Sequence, residues 1–269
     1  VGALAIRLEA IADAPWATAW KDRFQTFPLG QRLLIRPDWE IDAPAPEPWR
    51  DRLAVYLRPG LGFGTGHHET TRMALETLER ELRPGESVLD YGTGSAVLAL
   101  AAWRLGAGRI VGVDYDPQAL VNAVDNLAIN GAEGAITLIQ SDCPETAGAG
   151  FSLIVCNMLT QYALPLMRRL VGCFAEKDQR LIYTGFLADQ IGEVERRSAQ
   201  PDCGFCAIAP TGSGPESWPD PDGGGRLLRR AVAGHGRCKP GFSVRRHATV
   251  RRSTHESRNG YESELLRNP

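Results

Sequence analysis

The densest run of chemistry-bearing residues is Val88-Leu89-Asp90-Tyr91-Gly92-Thr93-Gly94-Ser95. An apolar stretch ends on an acid, two glycines follow at a spacing of two, and an Ala/Leu-rich segment begins at once. Gly92 and Gly94 let the backbone approach a ligand closely, because no Cβ stands in the way. A dinucleotide fingerprint needs a third glycine where Val97 stands, and a pyrophosphate meets an unwelcome negative charge at Asp90. A ligand carrying a cationic ammonium and a sulfonium suits this acidic turn better. Asp114 ends the next apolar stretch, where a carboxylate can accept from both ribose hydroxyls of an adenosine. Asp142, after a third stretch, is either an acceptor for an adenine amino group or a solvated loop acid. Asn157, in Val155-Cys156-Asn157-Met158-Leu159, closes a fourth. Its amide either faces the crevice where a group would be handed over or bonds its own backbone in a loop.

A second cluster is Gly62-Phe63-Gly64-Thr65-Gly66-His67-His68-Glu69-Thr70-Thr71. Thr70 or Thr71 can cap the helix that follows, and that helix start would favour a ligand carboxylate. The His-His-Glu triple lacks a partner at helical or strand spacing, so no metal is expected.

These residues need a frame that brings strand ends together. Met73, Leu75, Leu78 and Leu82 recur at helical spacing over 70–82, which Pro84-Gly85 terminates. Strands follow at Ser87–Tyr91, Arg109–Val113, Ala135–Gln140, Phe151–Cys156 and Arg180–Thr184. Helices are expected from Ala96 to Leu105, from Pro117 to about Asn130, over Leu164–Phe174, and from Asp189 to about Arg197. Asp116 before Pro117 has the plain job of an N-cap. Strands alternating with helices of this length give an α/β fold, a doubly wound and mostly parallel sheet with helices on both faces. Its ligands sit at the carboxyl ends of the strands.

The organisation reads as 1–60, an N-terminal remnant and linker with a short strand near Gln31–Ile35; 61–200, the ligand-binding domain; and 201–269, an irregular or disordered tail. A formal net charge of −2 gives no case for nucleic acid or an acidic membrane. No apolar run reaches the ~20 residues of a membrane helix. The six cysteines are scattered without a disulfide framework, so the cytoplasm is the expected compartment. In the tail, Cys203, Cys206, His235 and Cys238 lack a surrounding mini-core and read as coincidence rather than zinc ligands. The basic cluster of Arg245, Arg246, Arg251 and Arg252 lacks interleaved aromatics and reads as a solvated stretch.

The motifs together resemble the bacterial methyltransferase family that modifies large-subunit ribosomal protein L11. The matching residues are Phe63 to Thr71, Asp90 to Ser95, Asp114 to Pro117 and Asn157 to Leu159, and Trp16 to Trp39 looks like the family's linker. The resemblance covers about residues 15–200. It implies a Rossmann-like methyltransferase fold, S-adenosylmethionine as cofactor, and a ribosomal protein bearing a lysine or N-terminal amine as substrate. It also implies that Thr71, Gly92, Asp114 and Asn157 bind the cofactor, within a segment running from about Thr65 to Asn157 that includes Asp90, Gly94 and Asp142. Asn157 would orient the amine, and His68 is the nearest candidate base.

Three features depart from the family pattern. Ala96 stands where the family has glycine, a change the helix start should tolerate. About fifteen residues precede Trp16, where the family carries a recognition domain. The family's final hairpin has no counterpart after Arg197; the composition there is what a shifted reading of a GC-rich gene would produce, and the hairpin is then expected in another frame of the coding DNA. The competing readings are a cofactor-binding remnant without activity, and a methyltransferase acting on a small molecule or another protein.

Overall fold

A computed structural model describes residues 24–58, 68–176, 179–190, 192–194 and 206–208. The Phe63–His67 stretch, Trp16, Cys203, His235, Cys238 and the arginines at 245, 246, 251 and 252 lie outside the described residues.

The chain enters through a small sheet. Strand β1 (Phe27–Leu29) pairs antiparallel with β2 (Leu33–Pro37), and β3 (Leu53–Leu57) lies parallel to β2. The expected strand near Gln31–Ile35 is thus shifted by two residues, because Gly30 at φ 54° turns the chain first. Phe24, Leu29, Leu33, Ile35, Val55 and Leu57 are buried in one cluster with Leu75 and Leu78 of the first helix, α1 (Glu69–Glu81). Helix α1 stops at Leu82, whose amide still reaches Leu78 O, two residues before Pro84.

The main sheet contains β4 (Ser87–Tyr91), β5 (Arg109–Asp114), β6 (Ile136–Gln140), β7 (Leu153–Asn157) and β8 (Arg180–Thr184). A further strand, β9 (Cys206–Ile208), lies in the stretch whose sequence shows no period. The order is β6-β5-β4-β7-β8-β9, and every neighbouring pair is parallel. The order reverses between β4 and β7, which is the topological switch point where such sheets bind ligands. Three residues without a periodic signal carry too little pattern to announce a strand; pairing with β8 alone marks β9.

Between the strands run α2 (Val97–Arg104), α3 (Pro117–Asn130), α4 (Thr160–Ala163) and α5 (Met167–Val171). Asp116 caps α3 by accepting from the Gln118 amide, as its place before Pro117 predicts. Gly131 ends that helix at φ 68°. The helix expected over Leu164–Phe174 is broken: Leu164–Leu166 is a 3-10 turn between α4 and α5, and Phe174 forms an isolated bridge to Phe151. Pro165 has no amide to give an α-helix and crowds the preceding turn. The helix expected from Asp189 is a 3-10 turn at Ala188–Gln190, with residues 192–194 helical beyond it.

Strand alternation sends side chains to two cores. Val88, Ile110, Ile136, Leu153, Val155 and Ile182 pack beneath α1, α2 and α3, whereas Leu89, Val111, Ile154, Cys156, Leu181 and Tyr183 pack against Ala163, Met167 and Leu170. The sheet is covered on both faces, the doubly wound arrangement expected from the sequence. No helix among the described residues is long and apolar enough to cross a membrane.

Candidate functional site

The turn after β4 is held from below. Asp90 is fully buried, and its Oδ2 accepts from Thr93 Oγ1 at 2.7 Å and from the Ala99 amide at 3.1 Å. Helix α2 has no side-chain cap of its own at Ala96, so Asp90 supplies that acceptor from the strand. Its other oxygen, Oδ1, is buried with no hydrogen-bond partner among the described residues. Burial, with the nearby Asp114 carboxylate adding to it, pushes Asp90 up to about 7, against the opposing bonds from Thr93 and Ala99. Asp90 thus lies beneath the glycine turn rather than on its open side.

The turn's backbone is bent by necessity. Gly92 and Gly94 have φ 77° and 54°, and the amides of Gly92 and Thr93 both donate to Val113 O on the next strand, at 2.8 and 3.0 Å. A Cβ on Gly92 would sit 2.8 Å from Met158 Sδ. Ala96 is at φ 64°, the left-handed region, and is the one non-glycine residue there among those described. Its tolerance therefore carries a cost. An L-residue in that region loses roughly 1–2 kcal/mol, offset in part by burial of its methyl at about 0.8 kcal/mol.

Asp114 closes the gap between β4 and β5. Its Oδ2 accepts from the Gly94 amide at 2.8 Å and its Oδ1 from the Asp116 amide at 3.0 Å. The structure thereby joins the glycine turn to the acid expected to face a ribose. Each carboxylate oxygen still has a lone pair to offer. Asp142 is exposed; the Cys143 thiol donates to its Oδ1 at 3.2 Å, and its backbone carbonyl accepts from Tyr91 OH at 2.7 Å. That last bond ties the loop after β6 to the end of β4.

Thr71 and Asn157, 86 residues apart, meet directly: Asn157 Nδ2 donates to Thr71 Oγ1 at 3.1 Å. Thr184 Oγ1 donates to Asn157 Oδ1 at 3.0 Å, so the carboxamide is pinned from both sides. Thr184 was not among the sequence-derived candidates. The signal available for it is positional, because it ends β8 in register with Asn157 ending β7. His68, rather than Thr70 or Thr71, is the N-cap of α1: its Nδ1 accepts from the Thr70 amide at 3.3 Å. Both threonines are buried inside the first turn, which leaves the cap to the residue before Glu69. Thr65 lies outside the described residues.

Asp114 ends β5 and Asp142 follows its neighbour β6, beside the glycine turn that ends β4, and no lysine or arginine lies within Asp90–Ser95, Asp114–Asp116 or Ser141–Cys143. Such a set accepts from hydroxyls and ammonium groups and repels phosphate. The residues therefore fit an adenosine with an amino-acid appendage. With the strand order, they define the Rossmann-like fold of methyltransferases. The family model described as "Ribosomal protein L11 methyltransferase (PrmA)" matches residues 2–209, and the chain belongs to that family.

Among its relatives, a protein of Cupriavidus necator named ribosomal protein L11 methyltransferase is 38% identical over 190 residues, which are 71% of this chain and 60% of the relative. One of the same name from Burkholderia multivorans is 40% identical over 185 residues, 68% of this chain and 58% of the relative. The chain thus spans about 60% of the length of the curated relatives it matches. The crystal structure of a ribosomal protein L11 methylase from Lactobacillus delbrueckii subsp. bulgaricus superposes with a TM-score of 0.62 at 30% identity, covering 71% of this chain and 94% of that one.

Proposed function

We propose that this protein transfers methyl groups from S-adenosylmethionine to lysine or N-terminal amines of ribosomal protein L11, and that it does so in the cytoplasm. The observation that carries this reading is the Gly94–Asp114 bond of 2.8 Å at the switch point, inside an end of the sheet lined by acids. The names of the relatives support the substrate.

Bound there, S-adenosylmethionine supplies an electrophilic methyl on a sulfonium. The chain's contribution is proximity and alignment, the dominant need of an in-line displacement. Asp114 would accept from the ribose hydroxyls while Gly92 and Gly94 admit the ligand against the backbone. Thr71, at the start of α1, would meet the amino-acid end, where the helix N-terminus favours a carboxylate. His68 acts on this arrangement as the cap that fixes where α1 begins. Asn157, locked by Thr71 and Thr184, would orient the incoming amine by accepting from its N–H with the free lone pair of its carbonyl oxygen.

The test is calorimetric titration with S-adenosylmethionine and S-adenosylhomocysteine, repeated with Asp114→Ala, followed by a methylation assay on purified L11. Micromolar binding lost in the variant, with label entering L11, is the expected result. A folded protein that binds neither compound would overturn the cofactor reading, and binding without transfer to L11 would overturn the substrate.

A further inference from the structure

Helix α3 carries two buried asparagines four residues apart, Asn126 and Asn130, and neither belongs to the site described above. Among the described residues, strand β3 pairs with β2 alone in its sheet, so its outer edge needs other partners. The asparagines provide them. Asn130 Oδ1 accepts from the Tyr56 amide at 2.9 Å, and its Nδ2 donates to Tyr56 O at 2.7 Å. Asn126 Oδ1 accepts from the Arg58 amide at 2.7 Å. The fit is geometric: four residues of helix rise about 6 Å, and two residues of strand about 6.6 Å.

Asn126 does one thing that Asn130 does not. Its Nδ2 donates to Ser95 O, the last carbonyl of the glycine turn, at 2.9 Å. One partner can only donate and the other can only accept, so a carboxamide is the group that satisfies both. An aspartate would set an oxygen against the Ser95 carbonyl, and a leucine would orphan both groups.

We infer that Asn126 is a positioning residue for the ligand turn: it holds the Ser95 carbonyl, and through it the Gly92–Ala96 backbone, at a fixed distance from the end of β3. The inference rests on the proposed cofactor reading for its functional consequence. When the bond to Ser95 is lost, the turn samples other arrangements, and apparent affinity falls with the fraction of competent turn. Losing this buried hydrogen bond predicts a loss of about tenfold.

The experiment compares Asn126→Asp with Asn130→Asp. The first keeps the Arg58 bond and breaks the Ser95 bond; the second breaks the Nδ2 bonds to Tyr56 O and Asn126 O and leaves the Ser95 bond in place. Asn126→Ser, shorter and uncharged, serves if the aspartate variant does not fold. Two readouts are taken: the Kd for S-adenosylhomocysteine, and hydrogen exchange at the Gly94 and Ala96 amides of the free protein. Both variants should lose stability in urea. Only the Asn126 variant should bind about tenfold more weakly and exchange faster at Gly94 and Ala96. Equal Kd values, or equal exchange at those amides in the two variants, would overturn the inference. Failure of the unaltered protein to bind would instead refute the cofactor reading, while the exchange comparison still decides the role of Asn126.

Discussion

Replacing Asp90 by asparagine isolates the energetic cost of the turn. The carboxyl is fully buried and stands near 7 in the folded protein, against an ordinary 3.8, with burial as the main cause. An acid whose folded value is raised binds its proton more tightly when folded. Its contribution to stability is therefore complete below about pH 4, declines as the pH climbs through the window up to about 7, and is gone above it. Over the full window this amounts to about 4 kcal/mol, and between pH 5 and pH 8 to about 3 kcal/mol. The carboxamide of the Asp90→Asn variant can still accept from Thr93 and Ala99 through its carbonyl but cannot ionise. The assay is urea unfolding of both proteins at pH 5, 6, 7 and 8. The fall in unfolding free energy from pH 5 to pH 8 should be smaller in Asp90→Asn by about 3 kcal/mol. Parallel pH profiles in the two proteins would refute the argument, because Asp90 would then be no source of the dependence.

Gly185→Ala should destabilise more than Gly92→Ala in urea titrations: both lie at positive φ, but a Cβ at Gly185 meets Met158 backbone O at 2.6 Å, whereas at Gly92 it meets the flexible Met158 Sδ at 2.8 Å. Thr184→Val removes the hydroxyl that pins Asn157 Oδ1 at 3.0 Å; kcat on L11 should fall about tenfold while the Kd for S-adenosylhomocysteine holds within a factor of about two. Ala96→Val places a β-branched residue at φ 64° in a fully buried position, and should cost more than about 2 kcal/mol in unfolding free energy. An unchanged urea midpoint for that variant would contradict the left-handed assignment.

The frame of the molecule was readable because its signals are local. The runs Ser87–Tyr91 and Arg180–Thr184 are strands at the limits their apolar residues suggest, and Asp116-Pro117 opens α3 as capping chemistry requires. The segment after Leu159 was not readable, since Leu164, Met167 and Leu170 keep helical spacing across a proline that divides them into two short helices and a 3-10 turn. Ala96 shows a similar gap. Composition permits alanine at a helix start, and only the φ of 64° reveals that this start is left-handed. Asn126 and Asn130 were invisible for another reason: their partners, Ser95, Arg58 and Tyr56, are backbone groups brought in by tertiary packing. A side chain that serves backbone elsewhere leaves no pattern in its own neighbourhood.

One regularity unites the site. Asp90, Asp114, Asn157 and Thr184 each lie an even number of residues beyond a strand residue of the same core: Val88, Ile110, Val155 and Ile182. With a strand period of two, all four side chains must leave the sheet on the face that α1 and α2 cover. That face has what polar strand ends need, because both helices begin there with amides and hydroxyls unspent: Ala99 for Asp90 and Thr71 for Asn157. The opposite face gives strand residues Ala163, Met167 and Leu170, which are apolar, and there Tyr91 takes its bond from the loop after β6, donating to Asp142 O. The chemistry is concentrated on one side of the strand ends because helix starts lie there to bond the polar ends, and burial still holds Asp90 toward its neutral form. A one-residue slip of any strand would exchange its polar end for an apolar one and remove it from the site, so the register that fills the core also fixes the ligand-binding end.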